Sequence, residues 1–113
     1  MKEEAIEHLK VVTWIRFETE IPFYHFANER RCSPQQGAFL KKMGVKAGVS
    51  DLFFPRSNKS SKGLWLELKS AKGRASPAQI NFMKDMRLEN YECEVAYSAD
   101  EAIYFIKLFY DIN

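Results

Sequence analysis

Two acidic residues and a lysine near the middle of the chain have the types and spacing of a hydrolytic metal site. Asp51 opens one short apolar run, and Glu67 and Lys69 end another. Alternate residues of an extended strand share one face, so Glu67 and Lys69 point the same way, about 7 Å apart. This arrangement places a carboxylate and an ammonium where they could act on one substrate group.

A hairpin between the two runs would bring the carboxylates together. If Phe54 pairs with Leu64, the register places Asp51 opposite Glu67, with Cβ atoms about 5 Å apart. Two negative charges at that distance repel unless a cation neutralises them, and hard oxygen ligands suit Mg²⁺. The alternative is that these are ordinary solvent-facing charges at a strand end.

Four strands are predicted from short runs of β-branched and aromatic residues between turn residues. They are Ile21–Ala27, Asp51–Phe54, Gly63–Lys69 and Glu92–Tyr97. The third has leucine at every second position, which indicates one apolar face and one face that carries Glu67 and Lys69.

Three helices are predicted from capping boxes, in which Gln or Glu lies three residues after an N-cap serine and bonds back to its amide. The caps are Ser33, Ser76 and Ser98, and the helices should reach about Met43, about Glu89 and the C-terminus. A first helix over about residues 3–17 should bury Ile6, Leu9 and Val12 or Thr13, helped by Ile15. The order α-β-α-β-β-α-β-α predicts a mixed sheet flanked by helices.

Basic residues gather in the middle of the chain. Residues 29–75 hold eleven Lys and Arg against three acids, although the whole chain has a formal net charge of only +2. A chain polarised in this way presents positive charge to a polyanion, and nucleic acid is the commonest one. A solvated basic loop without a partner is the alternative.

The composition predicts one compact domain over residues 1–113. The chain is 46% hydrophobic and 14% aromatic, enough to bury about two thirds of the unfolded surface without a disulfide. No apolar run is long enough for a membrane span, and the first residues lack a secretory signal, so the cytoplasm is expected. Cys32 and Cys93 lack the spacing of a zinc or redox motif, and no organic cofactor is expected.

Several segments in order resemble a known nuclease family. Asp51 followed by Glu67-Leu68-Lys69 resembles the signature of PD-(D/E)XK nucleases, and the wider sequence resembles their VRR-NUC branch of phage and bacterial proteins. The resemblance covers most of the chain from Phe23 to Ile106. It lies in Met43–Phe53 (MGVKAGVSDLF), Gly63–Lys69 (GLWLELK), Gly73–Gln79 (GRASPAQ), Tyr91, Val95 and Ser98–Ile103.

The resemblance implies a restriction-endonuclease-like fold and a role for each matching residue. Asp51 and Glu67 would bind Mg²⁺ or Mn²⁺, with the Leu68 backbone carbonyl as a further ligand. Lys69 would orient or deprotonate the attacking water and stabilise the pentavalent phosphate. Gln79 would support the site through water, phosphate or Lys69.

The family also carries a metal-proximal glutamate on its first helix, which aligns best with Glu4, with Glu3 as runner-up. The basic residues expected to contact DNA are Lys46, Lys72, Arg74, Arg30 and Arg31. Three positions depart from the family pattern and bear on substrate choice and loop shape. They are Ser50 for the usual Pro, His8 for a common Gln, and Glu29 for the Gly after Asn28.

The resulting expectation is a stand-alone, metal-dependent DNA endonuclease. It would act on branched or structured DNA in the manner of a Holliday-junction resolvase, in a phage or bacterial setting, as a homodimer with two active sites. Three alternatives stay open: a general or nicking phage endonuclease, a non-catalytic nucleic-acid-binding module of the same fold, and an interaction protein with an incidental basic face.

Overall fold

The computed structural model describes residues 3–27 and 33–113, and in them a four-stranded sheet is flanked by helices. The elements are α1 (Glu3–Glu18), β1 (Tyr24–His25), α2 (Pro34–Lys42), β2 (Leu52–Phe54), β3 (Leu64–Leu68), α3 (Pro77–Leu88), β4 (Glu92–Ala96) and α4 (Ala99–Tyr110). The predicted mixed architecture is thereby confirmed. Within the described ranges, no helix is both long and apolar enough to cross a membrane.

The sheet has the strand order β1-β2-β3-β4. β1 pairs antiparallel with β2, and β2 with β3, whereas β3 and β4 run parallel and are joined through α3. Phe54 lies opposite Leu64 and Phe53 opposite Trp65, as the hairpin register predicts. The active-site hypothesis depends on this register, because a slip of one residue would turn Glu67 to the other face.

The main core lies between one face of the sheet and helices α1 and α4. The leucines at alternate positions of β3 are at most 1% exposed, and they pack with Leu52 and Phe54 of β2 and with Val11, Ile15 and Ile106. Burying these side chains supplies most of the apolar stabilisation of the sheet. Helix α3 lies on the opposite face, where Met83 and Phe82 contact β4 and β3.

The predicted core stripe of α1 is wrong apart from Ile15, which is buried. Val11 and Ile15 are buried, whereas Ile6 and Leu9 are 41% and 52% exposed. The packing of α1 against α4 decides the difference, because Glu7 accepts a hydrogen bond from the Ala99 amide at the start of α4. With Val11 and Ile15 packed in the main core, the stripe that carries Ile6 and Leu9 faces outward.

The capping chemistry fixes the starts of three helices. Ser33 and Ser76 both form the complete predicted capping box, each with proline in the first turn. At Ser98 the hydroxyl accepts from the Glu101 amide, but the Glu101 carboxylate accepts from Tyr97 N–H instead of from the cap amide. The more extended cap backbone, with φ −159° at Ser98, accounts for this departure from the predicted box.

The first strand is much shorter than the predicted Ile21–Ala27. Only Tyr24 and His25 form strand pairs, although Phe26 N–H still donates to the carbonyl of Asp51 at 2.8 Å. Pro22 lies in the part that is not strand, and proline cannot donate a ladder hydrogen bond.

The outer edge of β4 is partly covered by side chains. Glu92 N–H and Ala96 C=O bond toward β3. The backbone N–H and C=O groups of Cys93 and Val95, at the alternate positions between them, therefore point away from β3. Arg87 donates to the carbonyl of Cys93 at 2.9 Å, and Glu101 accepts from Tyr97 N–H just beyond the strand. Two outward-facing backbone groups of this edge are therefore already bonded.

Candidate active site

The hairpin brings Asp51 and Glu67 together at one end of the sheet. Leu52 pairs with Leu66, and continuing that register by one residue places Asp51 opposite Glu67. Asp51 Oδ2 accepts a hydrogen bond from Leu68 N–H at 2.8 Å, which ties the aspartate to the end of β3. In an extended strand the N–H and C=O of one residue point to the same side, so the Leu68 carbonyl also faces Asp51.

Glu67 is the most buried carboxylate of this group, with an exposure of only 3%. Its Oε2 lies 3.6 Å from Lys69 Nζ and accepts a hydrogen bond from Gln79 Nε2 at 3.0 Å. Burial raises the pKa of Glu67 to about 8, and the adjacent Asp51 charge adds to this rise, while Lys69 opposes it. Predicted residues from three parts of the chain thus converge on one carboxylate.

The surroundings of the second oxygen of Glu67 fit those of a cation ligand. Oε1 is buried and has no hydrogen-bond partner in the described part of the chain. A buried acceptor without a donor is costly, and the neighbouring Asp51 carboxylate adds to that cost. Carboxylate and carbonyl oxygens are the ligands that Mg²⁺ and Mn²⁺ prefer, so Asp51, Glu67 and the Leu68 carbonyl suit such a cation.

Gln79 links the site to the start of α3. Its Oε1 accepts from the Ser76 amide in the capping box, while its Nε2 donates to Glu67. Gly48, with φ +91°, packs directly on this helix start, and a Cβ there would lie 2.4 Å from the Ala78 carbonyl oxygen. The loop before Asp51 and the helix that carries Gln79 are therefore fixed against each other.

Two histidines beside Asp51 did not follow from the sequence reasoning. His25 Nδ1 lies 3.0 Å from the Asp51 carbonyl oxygen, and the ring of His8 contacts that of His25 with centroids 4.5 Å apart. Burial lowers the pKa of His8, and the charge of His25 adds to that effect. The sequence signals for His8 were its position on α1, one turn after Glu4, and its place where the VRR-NUC pattern commonly has Gln.

The other predicted site residues lie on α1, in the loops next to Asp51 and Lys69 in the chain, or beyond the described ranges. Glu4 is half-buried on α1 and Glu3 is exposed. No three His, Cys, Asp or Glu side chains within residues 3–27 and 33–113 cluster as a metal-ligand set, so Glu4 as a third protein ligand stays a prediction. Lys46, Lys72 and Arg74 are exposed in the loops that flank Asp51 and Lys69. Arg30 and Arg31 lie outside the described residues, as does Cys32.

Comparisons with known proteins identify the family of the domain. The family profile of the VRR-NUC domain matches residues 2–100. A solved structure described as a VRR_NUC domain protein is similar over the whole of this chain and 92% of its own, with 27% sequence identity and a TM-score of 0.78. Curated proteins gave no match. With the site on the same segments that carry the profile match, the chain belongs to the VRR-NUC domain family.

Proposed function

We propose that this nuclease-type domain is a Mg²⁺- or Mn²⁺-dependent DNA endonuclease of the PD-(D/E)XK type. The observation that carries the proposal is the buried Glu67 carboxylate, which faces Asp51 and contacts both Lys69 and Gln79. A dead copy of the fold would have no use for two facing carboxylates at this position, because they destabilise the metal-free protein.

Each side chain has a distinct task in phosphodiester hydrolysis. Asp51, Glu67 and the Leu68 carbonyl would hold the cation, which when bound supplies the positive charge that activates water and offsets charge on the phosphate. Lys69 would orient the attacking water or, as the neutral amine, take its proton, and as the ammonium would stabilise the negative charge that develops on the phosphate oxygens. Gln79 keeps Glu67 in place through its hydrogen bond.

The polyanionic substrate is supported by the exposed cations around the site. Lys46 precedes Asp51 by five residues, and Lys72 and Arg74 follow Lys69 in the turn that leads to α3. We propose that these side chains bind DNA phosphates, and that the substrate is branched or structured DNA, cut by a resolvase-like homodimer. A general or nicking endonuclease is the alternative within the same chemistry.

The decisive test separates chemistry from binding and folding. Asp51→Asn should abolish cleavage of linear, nicked and four-way-junction DNA in Mg²⁺ or Mn²⁺, because one ligand of the cation is lost. Retention of DNA should persist, because the phosphate-binding cations are untouched. In EDTA this variant should melt no lower than the parent, yet lose the rise in melting temperature that Mg²⁺ gives the parent.

Lys69→Ala is the matched comparison, because it should keep the metal-dependent rise in melting temperature and still fail to cut. Full parental activity in excess EDTA, or parental cutting by Asp51→Asn, would show that the site is misassigned.

A further inference from the structure

The sheet face that carries Glu67 also carries a row of aromatic rings. Tyr24, Phe53 and Trp65 lie opposite one another on β1, β2 and β3, so their side chains share one face. The next position along this face holds Asp51 and Glu67, about 7 Å away by the two-residue strand repeat. Phe26, two residues after Tyr24, extends the aromatic surface to that position, and its N–H bonds the Asp51 carbonyl.

Trp65 contacts both Phe53 and Phe26, but the aromatic face is not covered like the leucines on the other face. Phe53 and Trp65 stack with centroids 4.3 Å apart, and Phe26 lies 5.6 Å from Trp65. Tyr24 is 58% exposed and Phe26 is 41% exposed. Helix α3 contacts this surface through Phe82 at Trp65, and the exposure of Tyr24 and Phe26 shows that no helix covers these two rings.

A lysine side chain lies beside the aromatic surface at the end far from the carboxylates. Tyr91 lies 5.9 Å from Phe53 by ring centroids, and Lys62 Nζ lies 6.0 Å from the centroid of Tyr91. The surface therefore offers π-faces beside positive charge, and it is continuous with the site where a phosphate would react. Proteins that bind single-stranded nucleic acid combine these two features.

We propose that the aromatic row Tyr24–Phe53–Trp65, with Phe26, binds unpaired bases of a single-stranded DNA segment next to the phosphate that is cut. This inference rests on the proposed function and specifies its substrate, because base faces are available for stacking only where the duplex is open. The occupant is a single strand because the rings lie between Lys62, whose ammonium can pair with a phosphate, and the site where the proposed cation would hold the phosphate that is cut.

Binding is best measured in EDTA, where no cleavage is expected. Tyr24→Thr should weaken binding of an oligo(dT) of about 12 nucleotides by about tenfold. Its affinity for blunt duplex should stay at the parental value. Raising the salt concentration should leave the ratio of parent to variant unchanged, because stacking releases no counterions.

Three further proteins act as controls. Tyr24→Phe keeps the ring and should bind oligo(dT) like the parent. Tyr104→Ala removes a tyrosine of nearly equal exposure, 59%, from α4 on the opposite side of the sheet, and should also bind like the parent. In Trp14→Phe, Trp65 is the one remaining tryptophan, and oligo(dT) should quench its fluorescence.

Parental affinity of Tyr24→Thr for oligo(dT) would overturn the proposal, and so would an equal loss for single strand and duplex. A fall in molecular mass for Tyr24→Thr with unchanged oligo(dT) binding would assign the face to a second copy of the chain instead. The outcome is separable from the nuclease proposal. If oligo(dT) binding depends on the Tyr24 ring but no DNA is cut, only the nuclease proposal is refuted. If DNA is cut but oligo(dT) binding does not depend on the ring, only the proposed base-stacking surface is refuted.

Discussion

At the scale of single residues, Glu67 determines the chemistry of the site. Its carboxylate is buried against Asp51, so in the absence of a cation the folded protein holds a proton on Glu67 well above the ordinary pKa of 4.5. Binding of the proposed cation would displace that proton, because a cation is bound by the deprotonated carboxylate. Stability, and with it the affinity for the proposed cation, would then depend on pH through one side chain.

This coupling predicts how stability depends on pH. The folded-state pKa of Glu67 is raised to about 8, so between about pH 4.5 and 8 the folded chain keeps a proton that the unfolded chain has lost. In EDTA the free energy of unfolding should therefore fall as pH rises through this window, by up to about 1.4 kcal/mol per pH unit from this group. Thermal melts at several pH values measure it.

Glu67→Gln is the control for that measurement, because it cannot titrate. The free energy of unfolding of the parent, minus that of the variant, should therefore fall as pH rises toward 8. The rise in melting temperature that Mg²⁺ gives the parent should grow over the same range. A difference that does not change with pH would contradict the raised pKa.

The sequence predicts the pairing of Asp51 with Glu67 but not the environment of Glu67. Strand alternation and hairpin register suffice to place the two carboxylates on one face, and the structure confirms that register. The burial of Glu67, the orphaned Oε1 and the contact of His8 with His25 depend on how α1 and α3 pack, which local patterns do not encode.

At the scale of elements, the two complete capping boxes of α2 and α3 are chemically alike but differ in surroundings. Gln36 and Gln79 each bond back to their cap amide, yet only Gln79 also donates to Glu67. The start of α3 therefore has a second role that the start of α2 does not have. A substitution that keeps the box but changes the second hydrogen bond can distinguish the two roles.

Gln79→Glu should keep the capping box, because glutamate also serves at this position, and should place a third carboxylate against Glu67. Because Glu67 loses its donor, we expect the cleavage rate to fall by 10- to 100-fold, with the helical circular dichroism unchanged. Gln36→Glu makes the same change in α2 and should leave cleavage at the parental rate. Equal cleavage rates of the two variants would show that Gln79 is not part of the site.

The loop before β2 offers a second matched pair. Gly44 and Gly48 have nearly the same positive φ, +96° and +91°, but a Cβ at Gly44 meets nothing within 4 Å, whereas at Gly48 it collides with the backbone of α3. Gly44→Ala should lower the free energy of unfolding by about 1 kcal/mol from φ alone. Gly48→Ala should lower it by about 3 kcal/mol or more and also slow cleavage. Denaturant titration of both variants measures the difference.

The boundaries of helices and strands can be predicted from local sequence signals where capping is strong. They cannot be predicted where packing decides them. The starts of α2 and α3 are predicted from Ser-Pro and Gln alone. The buried face of α1 is not, because two apolar stripes compete and the contact of Glu7 with the start of α4 selects one of them. The short β1 depends on pairing with β2, which composition cannot specify.

At the scale of the whole molecule, the outward stripe of α1 is the best candidate for a dimer interface. Phe17 is 82% exposed and, with Ile6 and Leu9, lines a surface groove of about 570 Å³. Apolar surface of this kind is commonly covered in an oligomer. We therefore predict a homodimer through α1, which would supply the two active sites needed for cuts on opposed strands.

Light scattering at about 50 μM should give the mass of a dimer. Leu9→Glu should give a monomer with an unchanged melting profile in dilute solution, since the side chain is exposed. Leu88→Glu alters a leucine at the end of α3, on the other face of the sheet, and should stay dimeric. A strictly monomeric parent would contradict the dimer, and a dimeric Leu9→Glu would contradict this interface.

The side-chain bonds along the outer edge of β4 affect how the protein behaves at high concentration. An open strand edge can template a further strand from another molecule, which is a route to aggregation. Arg87 and Glu101 each occupy one backbone group there, so an incoming strand would first have to displace charged partners. Replacing both by alanine should leave the fold intact but shorten the time before aggregates appear during prolonged incubation.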